Sequence, residues 1–326
     1  MSPRSAAAAS EPHVAQAARD ALARGNAADA VVAALLVAAA EHPAVLLGPA
    51  QILVGGGGAG LRAIDGRVRQ PGSGVPRPRG LLPGEEVPPA ARVGVPALPS
   101  ALALALAAAG TQSLPRVARA AIDLALARSA PRAQVLDALS RRGPSAMAEE
   151  SIAGELTAVA GRSAHGALSQ PDLASVRPAI VSCDERNLEP EGVLCVPWRS
   201  EGRADASNTQ VVAAADPRGL VAVACYETGA AGVEVPALGL RAPPFAAPVL
   251  RGEARVRPGA PRPAAAPIAI RLVRGVPDVG LGLATLPNAE ASVLEVLAAL
   301  KDTLAITAAF AAAPGGRPVA VVMPSA

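Results

Sequence analysis

Few residues in this 326-residue chain have the chemistry to act as catalysts or ligands. Its three histidines, His13, His42 and His165, show no i, i+4 pairing and no zinc-type spacing to cysteine or carboxylate clusters, so no metal site is expected. The three cysteines, Cys183, Cys195 and Cys225, form no C-x-x-C, and an odd number cannot all pair within one chain, which predicts buried or free thiols. No G-x-S-x-G occurs. The run Gly55 to Gly58 lacks a following Lys-Ser/Thr and opens no helix, so it reads as a hairpin connection and not a phosphate or dinucleotide cradle; no cofactor is expected. What remains is a hydroxyl where a strand begins: Ser207-Asn208-Thr209-Gln210-Val211-Val212, followed by Asp216-Pro217-Arg218-Gly219 and a second apolar run.

That segment resembles the start of the small subunit in the gamma-glutamyltransferase family, S-N-T-T-H-x-S-V-V-D-x-x-G-N-A-V, with Thr209 in the place of the family's threonine and Asp216 and Gly219 in its turn. Three further patches follow the family's order. Gly25-Asn26-Ala27-Ala28-Asp29-Ala30-Val31 is similar to G-N-A-x-D-A-A-V-A, Val93-Gly94-Val95-Pro96 to V-A-V-P-G, and Ala120-Ala121-Ile122-Asp123-Leu124-Ala125 to P-A-I-x-L-A. The resemblance covers roughly residues 9–127 and 205–300; residues 128–204 carry no recognised pattern.

The resemblance implies an α+β fold, the four-layer αββα sandwich of the N-terminal-nucleophile hydrolases, with a truncated large-subunit portion. Residues 1–208 would be the large-subunit-like segment and 209–326 the small-subunit-like one, together forming one structural domain. It also implies self-cleavage between Asn208 and Thr209. The freed α-amino group, with a reference pKa of ~7.7 to 8.0, then accepts the Thr209 hydroxyl proton, so that one residue is nucleophile and base for a gamma-glutamyl or other amide.

Several supporting positions differ from the family. Gln210 and Val211 replace its second threonine and its histidine, and Ala264-Ala265-Ala266-Pro267 stands where it has two serines before a proline. The oxyanion region reads Gly282-Leu283-Ala284-Thr285-Leu286-Pro287-Asn288 instead of G-S-P-G-G, leaving Gly282 and Thr285 as the candidates there, since Pro287 has no N–H to donate. For the arginine of R-E-x-A-P, which binds the substrate carboxylate, Arg77 or Arg79 is the available stand-in. These departures open an alternative: a relative without activity, serving as a binding or assembly subunit beside an intact family member, or as a homo-oligomer.

The elements that would position Thr209 are partly legible. Ser10, Glu11 and Pro12 predict the start of a helix over 11–24; Asn26 and Asp29 predict a cap for a second helix whose run Val31 to Ala40 is apolar all round and therefore buried. Short runs at 51–54 and 61–64 read as strands, with Asp65-Gly66 as a turn, and the Pro- and Gly-dense 71–92 as a surface connection. Further helices are expected near 98–109, 115–127, 131–141 and 146–160. Residues 209–215 and 220–226 predict a hairpin about a type I turn, 268–273 and 279–285 a second strand pair, Asn288 the cap of a helix to about Ala312, and 317–323 a closing strand.

Composition narrows the function classes. Hydrophobic residues make up 51% and aromatics 1%, and alanine is about a quarter of the chain, so the core must be built from Ala, Leu and Val. The 30 basic residues include a single lysine, Lys301, and are dispersed without aromatic faces for stacking, which argues against a nucleic-acid partner. The longest apolar run is too short to cross a bilayer and the first residues have no continuous apolar leader, so no membrane partner and a cytoplasmic location are expected, with a small-molecule substrate.

Overall fold

A computed structural model describes residues 5–76, 79–187, 193–196, 208–284 and 317–322. In chain order its α-helices are α1 (Pro12–Leu22), α2 (Ala27–Glu41), α3 (Leu98–Ala109), α4 (Leu114–Arg128), α5 (Ala130–Arg142), α6 (Glu150–Ala160) and α7 (Gln170–Ser175). The strands are β1 (Ala6–Ala9), β2 (Ala50–Gly55), β3 (Arg62–Gly66), β4 (Ala179–Val181), β5 (Asp184–Asn187), β6 (Val193–Val196), β7 (Thr209–Ala215), β8 (Val221–Glu227), β9 (Val233–Val235), β10 (Leu240–Ala242), β11 (Ile268–Val273), β12 (Val276–Ala284) and β13 (Arg317–Val322).

Two antiparallel sheets stack face to face. The first runs β1-β7-β8-β2-β3-β4 and the second β13-β12-β11-β6-β5, while β9 and β10 form a separate ribbon. Alternation along β7 and β8 shows how the layers are joined. Val212, Ala214, Ala222, Ala224 and Tyr226 face the helices together with Ile52 and Val54 of β2. Val211, Ala213, Ala215, Val221, Val223 and Cys225 face the second sheet, where Ile268, Ile270 and Ala284 meet them. Both faces of these inner strands are covered, so they read in sequence as continuous apolar runs. The described layers are helix, sheet, sheet; the helix expected from Asn288 to Ala312 lies outside the described residues.

At the centre of the helix layer is α2, buried from Ala27 through Ala40. Such a helix cannot leave its terminal N–H and C=O groups to water, and both ends are satisfied by protein. Asn26 and Asp29 form the expected capping box. Asp29, fully buried, also accepts from the Thr111 hydroxyl at 2.6 Å and from the Thr111 and Gln112 N–H groups at 3.0 Å each, fastening the α3–α4 connection to the start of α2. At the other end Arg132 of α5 donates to the carbonyls of Ala40 at 2.7 Å and Glu41 at 3.0 Å.

A polar network stitches the C-terminal end of α2 to its neighbours. Glu11 accepts from the Tyr226 hydroxyl and pairs with His42 Nε2, both at 2.6 Å, while Glu41 pairs with His13 Nδ1 at 2.7 Å and Arg128 at 2.8 Å. The hydrogen bond to Glu11 raises the His42 pKa above its ordinary value, against the opposing effect of burial.

Several sequence expectations change. Ser10 does not cap α1; Glu11 occupies that position, and the Ser10 hydroxyl instead accepts from Val211 N–H at 3.0 Å, because β1 has paired the chain to β7 just before the helix. Asp65-Gly66 is not a turn: both residues lie in β3, and the β2–β3 connection is the glycine run, in which Gly56, Gly57 and Gly58 adopt positive φ. The helix anticipated over 146–160 divides into a 3-10 segment, Gly143–Ala148, and α6. Strands β4, β5 and β6 arise in a stretch that carried no recognised pattern. Among the described residues no helix is long and apolar enough to cross a membrane.

Two outcomes follow for stability. Leu35 is fully buried in α2, and Leu35→Asp places an unpaired carboxylate among Ala and Val at a cost of several kcal/mol, set against the ~5 to 15 kcal/mol that hold a typical domain. The variant is expected to be insoluble or unfolded by circular dichroism; a parental melt would mean that α2 is not the buried centre. His42 has a raised folded-state pKa, so its pairing with Glu11 stabilises fully below the unfolded value of ~6.5 and is lost as pH rises through the folded value. Thermal melts from pH 6 to 8 should therefore show a decline that Glu11→Gln flattens.

Candidate functional site

Thr209 opens β7 and is 1% exposed. Odd-numbered residues of β7 face the second sheet, so Thr209 shares that side with Val211. Across the hairpin its register partner is Glu227, the last residue of β8. Thr228 N–H donates to the Asn208 carbonyl at 3.0 Å, which makes residues 208 and 228 the hydrogen-bonded pair and 209 and 227 the closer non-hydrogen-bonded pair. The two side chains accordingly meet, and Thr209 Oγ1 donates to Glu227 Oε1 at 2.5 Å. The Thr228 hydroxyl adds a second donor to the Asn208 carbonyl at 3.0 Å.

The turn that sets this register is built as expected. Gly219, at φ +83°, donates its N–H to the Asp216 carbonyl at 3.1 Å, and the Asp216 carboxylate accepts from Arg218 N–H at 2.7 Å. Its other oxygen accepts from Ala27 N–H at 3.3 Å, tying the far end of the hairpin to the first turn of α2.

Behind Thr209 a polar row crosses the same face. Cys225, Gln51 and Asp65 are successive register partners on β8, β2 and β3. Cys225 Sγ donates to Gln51 Oε1 at 3.0 Å, and Gln51 Nε2 is buried with no hydrogen-bond partner among the described residues. Asp65 receives Arg67 through Nε and Nη2 at 3.0 Å each and Arg69 Nη1 at 2.9 Å. Burial works against its ionisation, but the two guanidinium groups outweigh it and hold the carboxyl below its ordinary range.

The sequence-predicted residues are distributed as follows. Asn208 and Thr209 are joined at the start of β7, with Glu227 and Thr228 on them. Gly282 lies inside β12, paired with Ile268 and Val319, and a Cβ there would come within 2.1 Å of a Val211 methyl; the glycine lets the second sheet approach β7 two residues from Thr209. Thr285 and Arg77 lie outside the described residues. Arg79 pairs with Glu85 and lines a cavity of about 460 Å³ with Arg162, His165 and Arg255, whose described lining does not include Thr209. Ala264, Ala265 and Ala266 are all buried, and Cys225 Sγ lies 3.7 Å from the Ala265 carbonyl.

Three features were missed in the sequence. Glu227 lies 18 residues from Thr209 and is brought to it only by the hairpin register. Arg67 and Arg69 close on the buried Asp65, a pairing that reading Asp65-Gly66 as a turn hides. The third is a cluster with metal-compatible geometry: one ligand atom from each of Glu11, Glu41 and His42 lies within 4.8 Å of the others, although these groups are already engaged with Tyr226, His13 and Arg128.

No protein-family model and no curated protein sequence matches the chain. Solved structures do. Cephalosporin acylase from Bacillus halodurans superposes with a TM-score of 0.70 at 16% identity, over 86% of this chain and 77% of the acylase. A structure designated LmbA2991HD gives 0.74 at 15% identity, over 94% of this chain and 84% of its own. Helicobacter pylori gamma-glutamyltranspeptidase aligns over 55% of this chain with a TM-score of 0.47, and the fold assignment rests on the first two. With a helix layer over two stacked antiparallel sheets, and Thr209 opening strand β7 of the first, the chain shares the fold of these two structures.

Proposed function

We propose that this chain is an N-terminal-threonine acyl hydrolase or acyltransferase, self-cleaving at Asn208–Thr209 and then using Thr209 to attack an amide. The observation that carries the reading is the placement of Thr209: buried at the end of an inner strand, facing the sheet–sheet interface, its hydroxyl held by Glu227. A hydroxyl aimed by a fixed acceptor is oriented for attack, and an α-amino group on the same residue supplies the base after cleavage. The tetrahedral oxyanion formed on the substrate needs donors, worth ~3 to 4 kcal/mol each in a preorganised site.

The acyl group is the open part of the reading. A gamma-glutamyl group carries an α-carboxylate and an ammonium that want hydroxyl and charged partners, whereas the segment where serines are expected is three buried alanines. Three buried alanines in place of two serines favour an acyl chain without those charges.

Purified protein is expected to resolve by mass into fragments 1–208 and 209–326, with threonine at the new amino terminus, and Thr209→Ala to remain whole. A wild-type chain that stays intact on long incubation would replace this reading by the inactive relative acting as a binding or assembly subunit. For a cleaved enzyme, a simple aliphatic acyl anilide should give a higher kcat/KM than a gamma-glutamyl anilide, because each unmet charge-assisted hydrogen bond forfeits ~1.5 to 3 kcal/mol. The reverse preference would mean that other side chains hold the gamma-glutamyl group.

A further inference from the structure

The free α-amino group that serves as base for a processed N-terminal threonine does not exist before the chain is cut, because Thr209 N is then an amide. The first cut therefore needs another base, and it needs donors for the oxyanion that forms on the Asn208 carbonyl. We infer that the end of β8 supplies both: Glu227 as the general base for Thr209, and Thr228 as the oxyanion donor, in the self-cleavage step. This rests on the reading of Thr209 as a processed nucleophile and adds to it the residues that perform the processing.

The geometry is that of the uncut chain. Thr209 Oγ1 already directs its proton at Glu227 Oε1, 2.5 Å away. The carbonyl oxygen of the bond to be broken already accepts two hydrogen bonds, from the N–H and the hydroxyl of Thr228, both at 3.0 Å. The N–H bond is the ordinary rung of an antiparallel ladder; the hydroxyl is an additional donor on the same oxygen. Proton acceptor and oxyanion donors come from adjacent residues because β-strand side chains alternate: Glu227 points inward with Thr209, while the Thr228 backbone meets the Asn208 backbone.

Glu227 takes the hydroxyl proton as Oγ1 of Thr209 bonds to the carbonyl carbon of Asn208, and the charge on oxygen is met by Thr228. Collapse breaks the Asn208–Thr209 C–N bond, and the proton held by Glu227 passes to the departing nitrogen. The products are an ester between the Asn208 acyl group and Thr209 Oγ1, and a free α-amino group. Water then hydrolyses the ester, leaving a carboxylate on residue 208 and threonine at the new amino terminus.

The test is the rate of cleavage, followed by intact mass on freshly made full-length chain, with thermal melts as the folding control. Glu227→Gln keeps the shape but not the basicity and should slow the cut by about 100-fold or more, in the range of general base catalysis; Thr228→Val should slow it by about 10-fold or more, and Thr228→Ser should restore it. Hydroxylamine splits esters and not amides, so it should speed the wild type wherever ester hydrolysis limits but leave Glu227→Gln whole. Cleavage of Glu227→Gln at the wild-type rate, with wild-type chain cutting normally, overturns the role of Glu227 and leaves the function of Thr209 standing. Wild-type chain that never cuts overturns both. Should Glu227→Gln melt early, Glu227→Asp decides: it keeps the charge but draws it back by one methylene, and a rate within twofold of wild type, at a wild-type melt, counts against a positioned base.

Discussion

The rest of the structure depends on the complete burial of α2. A helix apolar on every side must be covered on every side, and the cover is the first sheet beneath it and α1, α3 and α4 around it. Burial also removes water from both helix ends, where four N–H and four C=O groups lack intrahelical partners. Asp29 and Arg132 resolve that shortage, and in doing so recruit distant chain: Asp29 fixes the α3–α4 connection, and Arg132 brings in α5 and the Gly239 carbonyl at 2.9 Å. Both ends of the β7–β8 hairpin are held by the same helix region, through Ala27 to Asp216 at the turn and through Glu11, His42 and Tyr226 near the open end.

A core with so few aromatic rings must gain its cohesion from close approach. Alanine and glycine let layers come near enough for many small contacts, each individually weak. Gly282 against Val211 and Gly66 against Ala101 of α3 are two such places, where a methyl group would meet its neighbour at 2.1 and 3.1 Å. Thr209, at the start of β7, lies on the inter-sheet face that this close spacing buries.

What was legible in the sequence was whatever rested on local rules. The Asp-Pro-Arg-Gly turn and the two apolar runs beside it announce the hairpin, and the Asn26–Asp29 box with a continuous apolar run announces α2. The nucleophile candidate was legible for the same reason, standing at a strand start in a resembling segment. Glu227 was not, since its significance depends on cross-strand register. The ion-paired Asp65 was read as a turn residue because Asp-Gly is the commonest hairpin signal, yet here the neighbouring glycine run makes the turn and Gly66 lies flat against a backbone carbonyl. Strands β4 and β5 were invisible because they are short and lie at sheet edges, where burial imposes little alternation.

The four-residue turn between β7 and β8 behaves as a gauge block. Because side chains alternate with a period of two, lengthening or shortening one arm of the hairpin by a single residue would rotate Thr209 away from the second sheet and toward the helices, while Glu227 stayed where it is. Chemistry at the open end is thus metered by geometry at the closed end, about seven residues along each strand. Drift in composition along the two strands is tolerable so long as small apolar residues follow one another; drift in their length is not. A hairpin built mostly of alanine and valine can in this way preserve a reactive pair through extensive sequence change, as a ruler keeps its length whatever it is made of.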